Sequence, residues 1–137
     1  MYEFYNANRR GRHVNDCTVR AISLAEDITW DEAYYKLSNL ARKEGLMMDS
    51  VEFIEKYLDD RYDRTCYRST SVGEFMDEYD EGVFLVTMPG HITVIIDGVL
   101  YDTFDCSDRI MRCAWEVTIY SPIWSHSQVV RQRSATP

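Results

Sequence analysis

The dipeptide Asp97-Gly98 lies in the middle of residues 91–104, a segment rich in β-branched, aliphatic and aromatic side chains. Asp-Gly in such surroundings is a strong signal for a two-residue β-hairpin turn, because both turn positions require a positive φ angle. The turn also sets the pairing of the two strands and places Val94 opposite Tyr101. It therefore decides which side chains share a face of the hairpin.

This register brings a histidine and a carboxylate together. Side chains alternate between the two faces of a strand, so His91 and Thr93 share a face with Asp102. His91 and Asp102 are diagonal neighbours there, a separation that an imidazole and a carboxylate can bridge. Asp105 falls on the opposite face and is the alternative partner of the imidazole if a β-bulge shifts the register.

A cysteine lies at a predicted helix start. Asn15 and Asp16 are both good N-cap residues, and the residues after them include the apolar positions of a buried helix. Cys17 would then lie in the first turn. Unpaired backbone N–H groups and the positive end of the helix dipole stabilise a thiolate there, and the same N–H groups can hold an oxyanion.

The order of predicted elements indicates the fold class. Capping-box patterns at Thr29–Glu32 and Ser71–Glu74 start helices, and the period changes to strands from residue 83 onward. Helices first and strands second predict an α+β fold in which N-terminal helices pack on a C-terminal antiparallel sheet. We expect one domain over 1–137, with an irregular arm at 1–13 and a frayed tail at 128–137.

Composition limits the classes of partner. The chain has 137 residues, 45% of them hydrophobic, which suffices for one buried core. A net charge of -8 argues against a general nucleic-acid or anionic-membrane binder. No run of about 18 apolar residues exists, and the first residues lack a signal-peptide pattern, so we expect a cytoplasmic protein without membrane contact. The sequence gives no indication of the oligomeric state.

The cysteines and histidines do not indicate a metal site. The cysteines have no zinc-type CxxC spacing, and we expect all four to be free thiols, with Cys106 and Cys113 structural. His13 and His126 are weaker alternatives to His91 and are distant from it in sequence. We therefore expect neither a metal nor a cofactor.

Cys17, His91 and Asp102 supply what nucleophilic thiol catalysis requires: a stabilised thiolate, an imidazole that moves the proton and a group that orients the imidazole. Their order resembles the papain-like cysteine peptidases, in particular small bacterial and phage proteins of that superfamily. The resemblance lies in Asn15-Asp16-Cys17 with the helix after it, in Gly90-His91-Ile92-Thr93-Val94 and in Val99-Leu100-Tyr101-Asp102.

The resemblance implies a role for each residue. Cys17 would be the acyl-forming nucleophile, His91 the general base and then acid, and Asp102 the residue that orients His91. The expected activity is hydrolysis of a peptide, isopeptide or related amide bond in a peptide or protein substrate.

One position departs from the pattern of the family. A glutamine that donates to the oxyanion often precedes the cysteine by about six residues, and this chain has Gly11 there. Asn15 or backbone N–H groups would have to replace it. Two alternatives therefore stay open: a catalytically inactive papain-fold binding protein, such as a phage or host-interaction protein, and an acyltransferase that uses the same triad.

Overall fold

The computed structural model describes residues 1–117, which form four helices and six strands and confirm the α+β class. The helices are α1 (Cys17–Ala25), α2 (Trp30–Glu44), α3 (Val51–Asp59) and α4 (Val72–Glu78). The strands are β1 (Tyr2–Phe4), β2 (Asp63–Cys66), β3 (Val83–Met88), β4 (His91–Ile96), β5 (Val99–Asp102) and β6 (Cys113–Glu116). The tail predicted to fray at 128–137, and His126, lie outside the described residues.

The six strands form one mixed sheet in the order β1-β5-β4-β3-β6-β2. β1 runs parallel to β5, with Tyr2 opposite Leu100 and Phe4 opposite Asp102, and the other pairs are antiparallel. The prediction of a purely antiparallel sheet is therefore wrong. The arm predicted to be irregular over 1–13 forms a strand at Tyr2–Phe4 and has no helix or strand over 5–13. β1 was not predicted because its three residues are too few to show a strand period and because its partner, β5, lies far along the chain.

The hairpin prediction is confirmed. Val94 pairs with Tyr101, and the turn residues Asp97 and Gly98 have φ angles of 50° and 77°. A second two-residue turn, Pro89-Gly90, joins β3 to β4. Proline fixes the first turn position and Gly90, with φ of 72°, supplies the positive φ that the second requires in a type II turn. These two turns determine where β4 begins and where β5 starts.

The predicted helix caps of α2 and α4 are present as complete capping boxes at Thr29 and Ser71. The start of α1 is different. Asp16 is its N-cap residue, but the Asp16 side chain makes no capping hydrogen bond. Its carboxylate contacts Arg20 and the indole of Trp30 instead. The first turn of α1 is thus left without a side-chain cap.

The sheet separates two hydrophobic cores. The larger core lies between the sheet and α1, α2 and α3, and includes Ile92, Val94 and Ile96 of β4. The smaller core lies on α4 and includes Ile95 and Leu100. This alternation follows from the two-residue period of a strand buried on both faces. None of the described helices has the length and apolar composition needed to cross a bilayer.

The expectation of four free thiols is wrong. Cys66 and Cys113 form a disulfide, and they lie directly opposite each other where β2 pairs with β6. The two residues are 47 positions apart in the chain, so their spacing gives no sign of the pairing. Cys17 and Cys106 are the free cysteines.

Candidate active site

The three residues of the predicted triad lie at the ends of their elements. Cys17 is the first residue of α1, His91 the first of β4 and Asp102 the last of β5. α1 packs on β4, which brings the helix start to the end of the sheet. The convergence is a consequence of the two tight turns and of the packing of α1 in the larger core.

His91 and Asp102 are in direct contact, as the hairpin register predicts. His91 Nε2 donates to Asp102 Oδ2 over 2.7 Å. The two side chains expose only 7% and 3% of their surface. The ring of Phe104 packs against the imidazole, with the two ring centroids 4.7 Å apart. A buried bond of this kind fixes the orientation of the ring.

The second oxygen of Asp102 is also bonded. Asp102 Oδ1 accepts a hydrogen bond of 2.7 Å from the Thr103 N–H and lies 3.3 Å from Nη2 of Arg20. Burial acts to raise the pKa of the Asp102 carboxyl. The hydrogen bond from His91, the positive charge of the His91 ring and the hydrogen bond from the Thr103 N–H outweigh burial and bring the pKa below its usual value. Asp102 is therefore a carboxylate with both oxygens held.

Cys17 completes the group. Its half-buried thiol is hydrogen-bonded to the His91 ring and to the backbone of Ile92. Burial acts to raise the pKa of the Cys17 thiol, but these hydrogen bonds, together with the positive charges of His91 and Arg20, lower the pKa below its ordinary value. The Cys17 thiol therefore loses its proton at a lower pH than an ordinary cysteine does.

The His91 imidazole has a raised pKa and can hold that proton. Burial acts to lower the pKa of His91, but hydrogen bonds to Asp102, Cys106 and Cys17 raise it to about 11. The opposite directions of the shifts at Cys17 and His91 favour a thiolate–imidazolium pair around neutral pH. In this state the sulfur is a nucleophile and the ring is an acid.

A cavity of about 100 Å³ opens beside the pair, and Cys17 and His91 both line it. Thr87 and Gly90 also line it, and of its other lining residues four are apolar and three are charged: Val51, Ile54, Met88, Ile92, Asp49, Glu55 and Arg112. The volume fits a single side chain rather than a whole ligand. A substrate would therefore lie across the surface with one group inserted next to the sulfur.

Cys106 is a neighbour of His91 that the sequence analysis did not connect with the site. The Cys106 thiol is fully buried in the smaller core. The donor atoms of His91, Asp102 and Cys106 lie within 4.8 Å of one another, a combination that can hold a soft metal ion. However, the Asp102 carboxylate already has Arg20 as its cationic partner and accepts a hydrogen bond from Nε2 of His91. These contacts favour a hydrogen-bonded group over a metal centre.

The remaining predicted residues lie away from this group. Asp105 is exposed, and its carboxylate accepts a 3.0 Å hydrogen bond from the Ser107 N–H instead of contacting His91. Asn15 is exposed and is not among the residues that line the cavity of Cys17. The alternative triad through Asp105 is thus not assembled, and Asn15 as an oxyanion donor stays a prediction.

Arg20 is the second residue that the sequence analysis missed. It is buried, although arginine is rarely buried without a partner, and its partners are Asp16 and Asp102. Asp16, the N-cap residue of α1, precedes Arg20 by four residues, and this ion-pair spacing is visible in the sequence.

The chain matches no protein-family model, no curated protein and no solved structure.

Proposed function

We propose that this protein is a thiol hydrolase that cleaves a peptide, isopeptide or related amide bond through an acyl-thioester intermediate. The observation that supports this function is the continuous hydrogen-bonded path from the Cys17 thiol through His91 to Asp102, with the thiol at the wall of a cavity. The proposal includes a small papain-like architecture, in which a helix carries the cysteine and a later sheet carries the histidine and the carboxylate.

Acylation uses the thiolate–imidazolium pair. The Cys17 sulfur attacks the carbonyl carbon of the amide, and the carbonyl π electrons move to the oxygen. When the tetrahedral intermediate collapses, the C–N bond breaks and His91 gives its proton to the departing nitrogen. The products of this step are a free amine and an acyl group in thioester linkage to Cys17.

Deacylation reverses the roles. His91, now neutral, takes a proton from a water molecule as that water attacks the thioester carbonyl. The C–S bond then breaks, the acid leaves and the thiolate–imidazolium pair is restored. Asp102 keeps the ring in place in both steps. An amine in place of water would give acyl transfer with the same residues.

The start of α1 is the best place for the oxyanion. Backbone N–H groups in the first turn of a helix have no helical partner, and here the Asp16 side chain makes no capping bond to them. They lie next to the Cys17 sulfur by chain connection. This arrangement offers donors for the developing charge in a chain that has Gly11 where the papain-like pattern often has glutamine.

The test combines a thiol-directed covalent probe with a substrate search. An epoxysuccinyl probe is incubated with the wild-type protein and with Cys17→Ala and Cys106→Ala, and intact mass counts the adducts. We expect one adduct on the wild type and on Cys106→Ala, and none on Cys17→Ala. A mixed peptide pool, read by mass spectrometry, should be cleaved by the wild type and not by Cys17→Ala.

Two outcomes would contradict the proposal. The absence of a Cys17 adduct would show that the thiol is not an accessible nucleophile. A Cys17 adduct without cleavage of peptides or of isopeptide-linked substrates would favour the inactive binding protein, because the reactive thiol would then have no hydrolytic partner.

A further inference from the structure

We propose that Arg20 is a positioning residue of the site: its guanidinium holds Asp102 against His91 and places a positive charge beside the Cys17 sulfur. The inference rests on the proposed function, since it assigns Arg20 a part in preparing the same triad. It adds a fourth residue to a constellation that Cys17, His91 and Asp102 would otherwise form alone.

The geometry of α1 places Arg20 between the nucleophile and the carboxylate. Arg20 follows Cys17 by three residues, so the two side chains lie on the same side of the helix. Arg20 Nη2 is 3.3 Å from Asp102 Oδ1, while Asp102 Oδ2 accepts from His91. One carboxylate therefore bridges the arginine of the helix and the histidine of the sheet. The bridge connects the element that carries the sulfur to the element that carries the imidazole.

The guanidinium is itself fixed from the other side. Arg20 Nη1 contacts Asp16 Oδ1, and Asp16 Oδ2 accepts a 2.9 Å hydrogen bond from Nε1 of Trp30. Arg20 is only 9% exposed and Asp16 6%. The planar fork of arginine can contact two carboxylates at once, which the single ammonium of lysine does less well. Asp16 serves this network and not the cap of α1.

The charges around the site explain why a cation is needed there. Two carboxylates, those of Asp16 and Asp102, contact Arg20, and a thiolate at Cys17 adds a further negative group, which is hydrogen-bonded to His91. The charge of Arg20 favours the thiolate and is one cause of the lowered pKa of Cys17. Without Arg20, a buried carboxylate would lose its cationic partner, and the thiolate would lose part of its stabilisation.

The experiment compares Arg20→Gln and Arg20→Lys with the wild type. The rate of Cys17 alkylation by iodoacetamide is measured from pH 4 to pH 9, and peptide cleavage gives kcat and KM. For Arg20→Gln we expect the acid limb of the labelling profile to move to higher pH, since the loss of a cation that favours the thiolate raises the pKa of the thiol. We expect kcat to fall about tenfold or more with KM nearly unchanged, as for a group that acts on the transition state.

Arg9→Gln is the matched control, because Arg9 forms an exposed ion pair with Asp31 at 2.9 Å and lies outside the site. It should keep the wild-type profile. Arg20→Lys retains the charge and decides the question if Arg20→Gln does not fold: we expect the wild-type acid limb with a kcat lowered about tenfold, because the bridge to Asp102 is lost.

A folded Arg20→Gln variant with the wild-type labelling profile would overturn the inference and leave Arg20 a structural role. Wild-type kcat in Arg20→Lys would equally contradict the bridge. The labelling profiles need no substrate, so they test Arg20 even if the wild type cleaves nothing. In that case the proposed function would fail while the role of Arg20 beside Cys17 would still be decided.

Discussion

Cys17 and Cys106 both contact the ring of His91, yet their surroundings differ. Cys17 is partly exposed, packs on the larger core and lines the cavity. Cys106 is fully buried in the smaller core on the other side of the sheet. The shared imidazole cannot account for a difference in reactivity between the two thiols. A nucleophile needs access for a substrate as well as a base, so the comparison predicts that Cys17 is the more reactive thiol.

Cys17 and Cys106 also differ in their backbone hydrogen bonds and in the charges near each sulfur. Cys17 begins a helix, accepts a hydrogen bond from the Ile92 backbone and has Arg20 nearby. Cys106 lies in the loop after β5, where its carbonyl accepts from the Arg109 N–H. Only one of the two thiols thus combines an open side with groups that stabilise a negative sulfur. The following predictions test whether that combination is what distinguishes them.

The largest effect is expected from Asp102→Asn. The amide would present the wrong group to Nε2 of His91, and the imidazole would lose the partner that orients it. We expect cleavage to fall by about 10³-fold or more, measured as kcat/KM. The matched control is Asp105→Asn, because Asp105 is exposed and its carboxylate accepts from the Ser107 N–H instead of contacting His91. If kcat/KM falls equally in the two variants, the hairpin register does not determine which carboxylate orients His91.

The disulfide gives the next largest effect and completes the comparison of the four cysteines. The native, unreduced protein is incubated with an alkylating reagent for a long time and its intact mass is measured. We expect two modified thiols, Cys17 and Cys106. Replacing Cys66 and Cys113 by alanine opens a loop of 47 residues, and the chain-entropy relation gives a loss of about 4 kcal/mol in the free energy of unfolding. Urea unfolding measures that loss.

Labelling of Cys17 should be unchanged in this double variant, because the disulfide joins β2 to β6 and not to the site. Four modified thiols in the native protein would contradict the bridge. Disulfides persist mainly in oxidising compartments. The redox state of the four cysteines, trapped by alkylation before lysis, therefore also tests the cytoplasmic location that the sequence predicts.

Local patterns were the predictable part of this fold. The hairpin at Asp97-Gly98 and the capping box at Thr29 depend on residues within a few positions of one another, so the sequence alone specifies them. The contact between His91 and Asp102 follows from the same register. Cys17 at the start of α1 was predicted from the N-cap residues before it.

Contacts between distant segments were the unpredictable part. The parallel strand β1 and the disulfide join residues far apart in the chain, and no local period marks either of them. The approach of Cys106 to His91 depends on the path of a loop. Arg20 is intermediate: its spacing from Asp16 is visible in the sequence, but its contact with Asp102 requires the packing of α1 on the sheet.

The most direct measurement is the rate of iodoacetamide labelling at pH 6, resolved by peptide mapping, for Cys17 and Cys106 in the wild type and in His91→Ala. The lowered pKa of Cys17 and the raised pKa of His91, about 11, favour the thiolate–imidazolium pair, and acidification below the Cys17 pKa removes it. We expect Cys17 to react on the order of 100 times faster than Cys106, and His91→Ala to lose most of that advantage. Equal rates for the two thiols, or a Cys17 rate that His91→Ala leaves unchanged, would contradict the account.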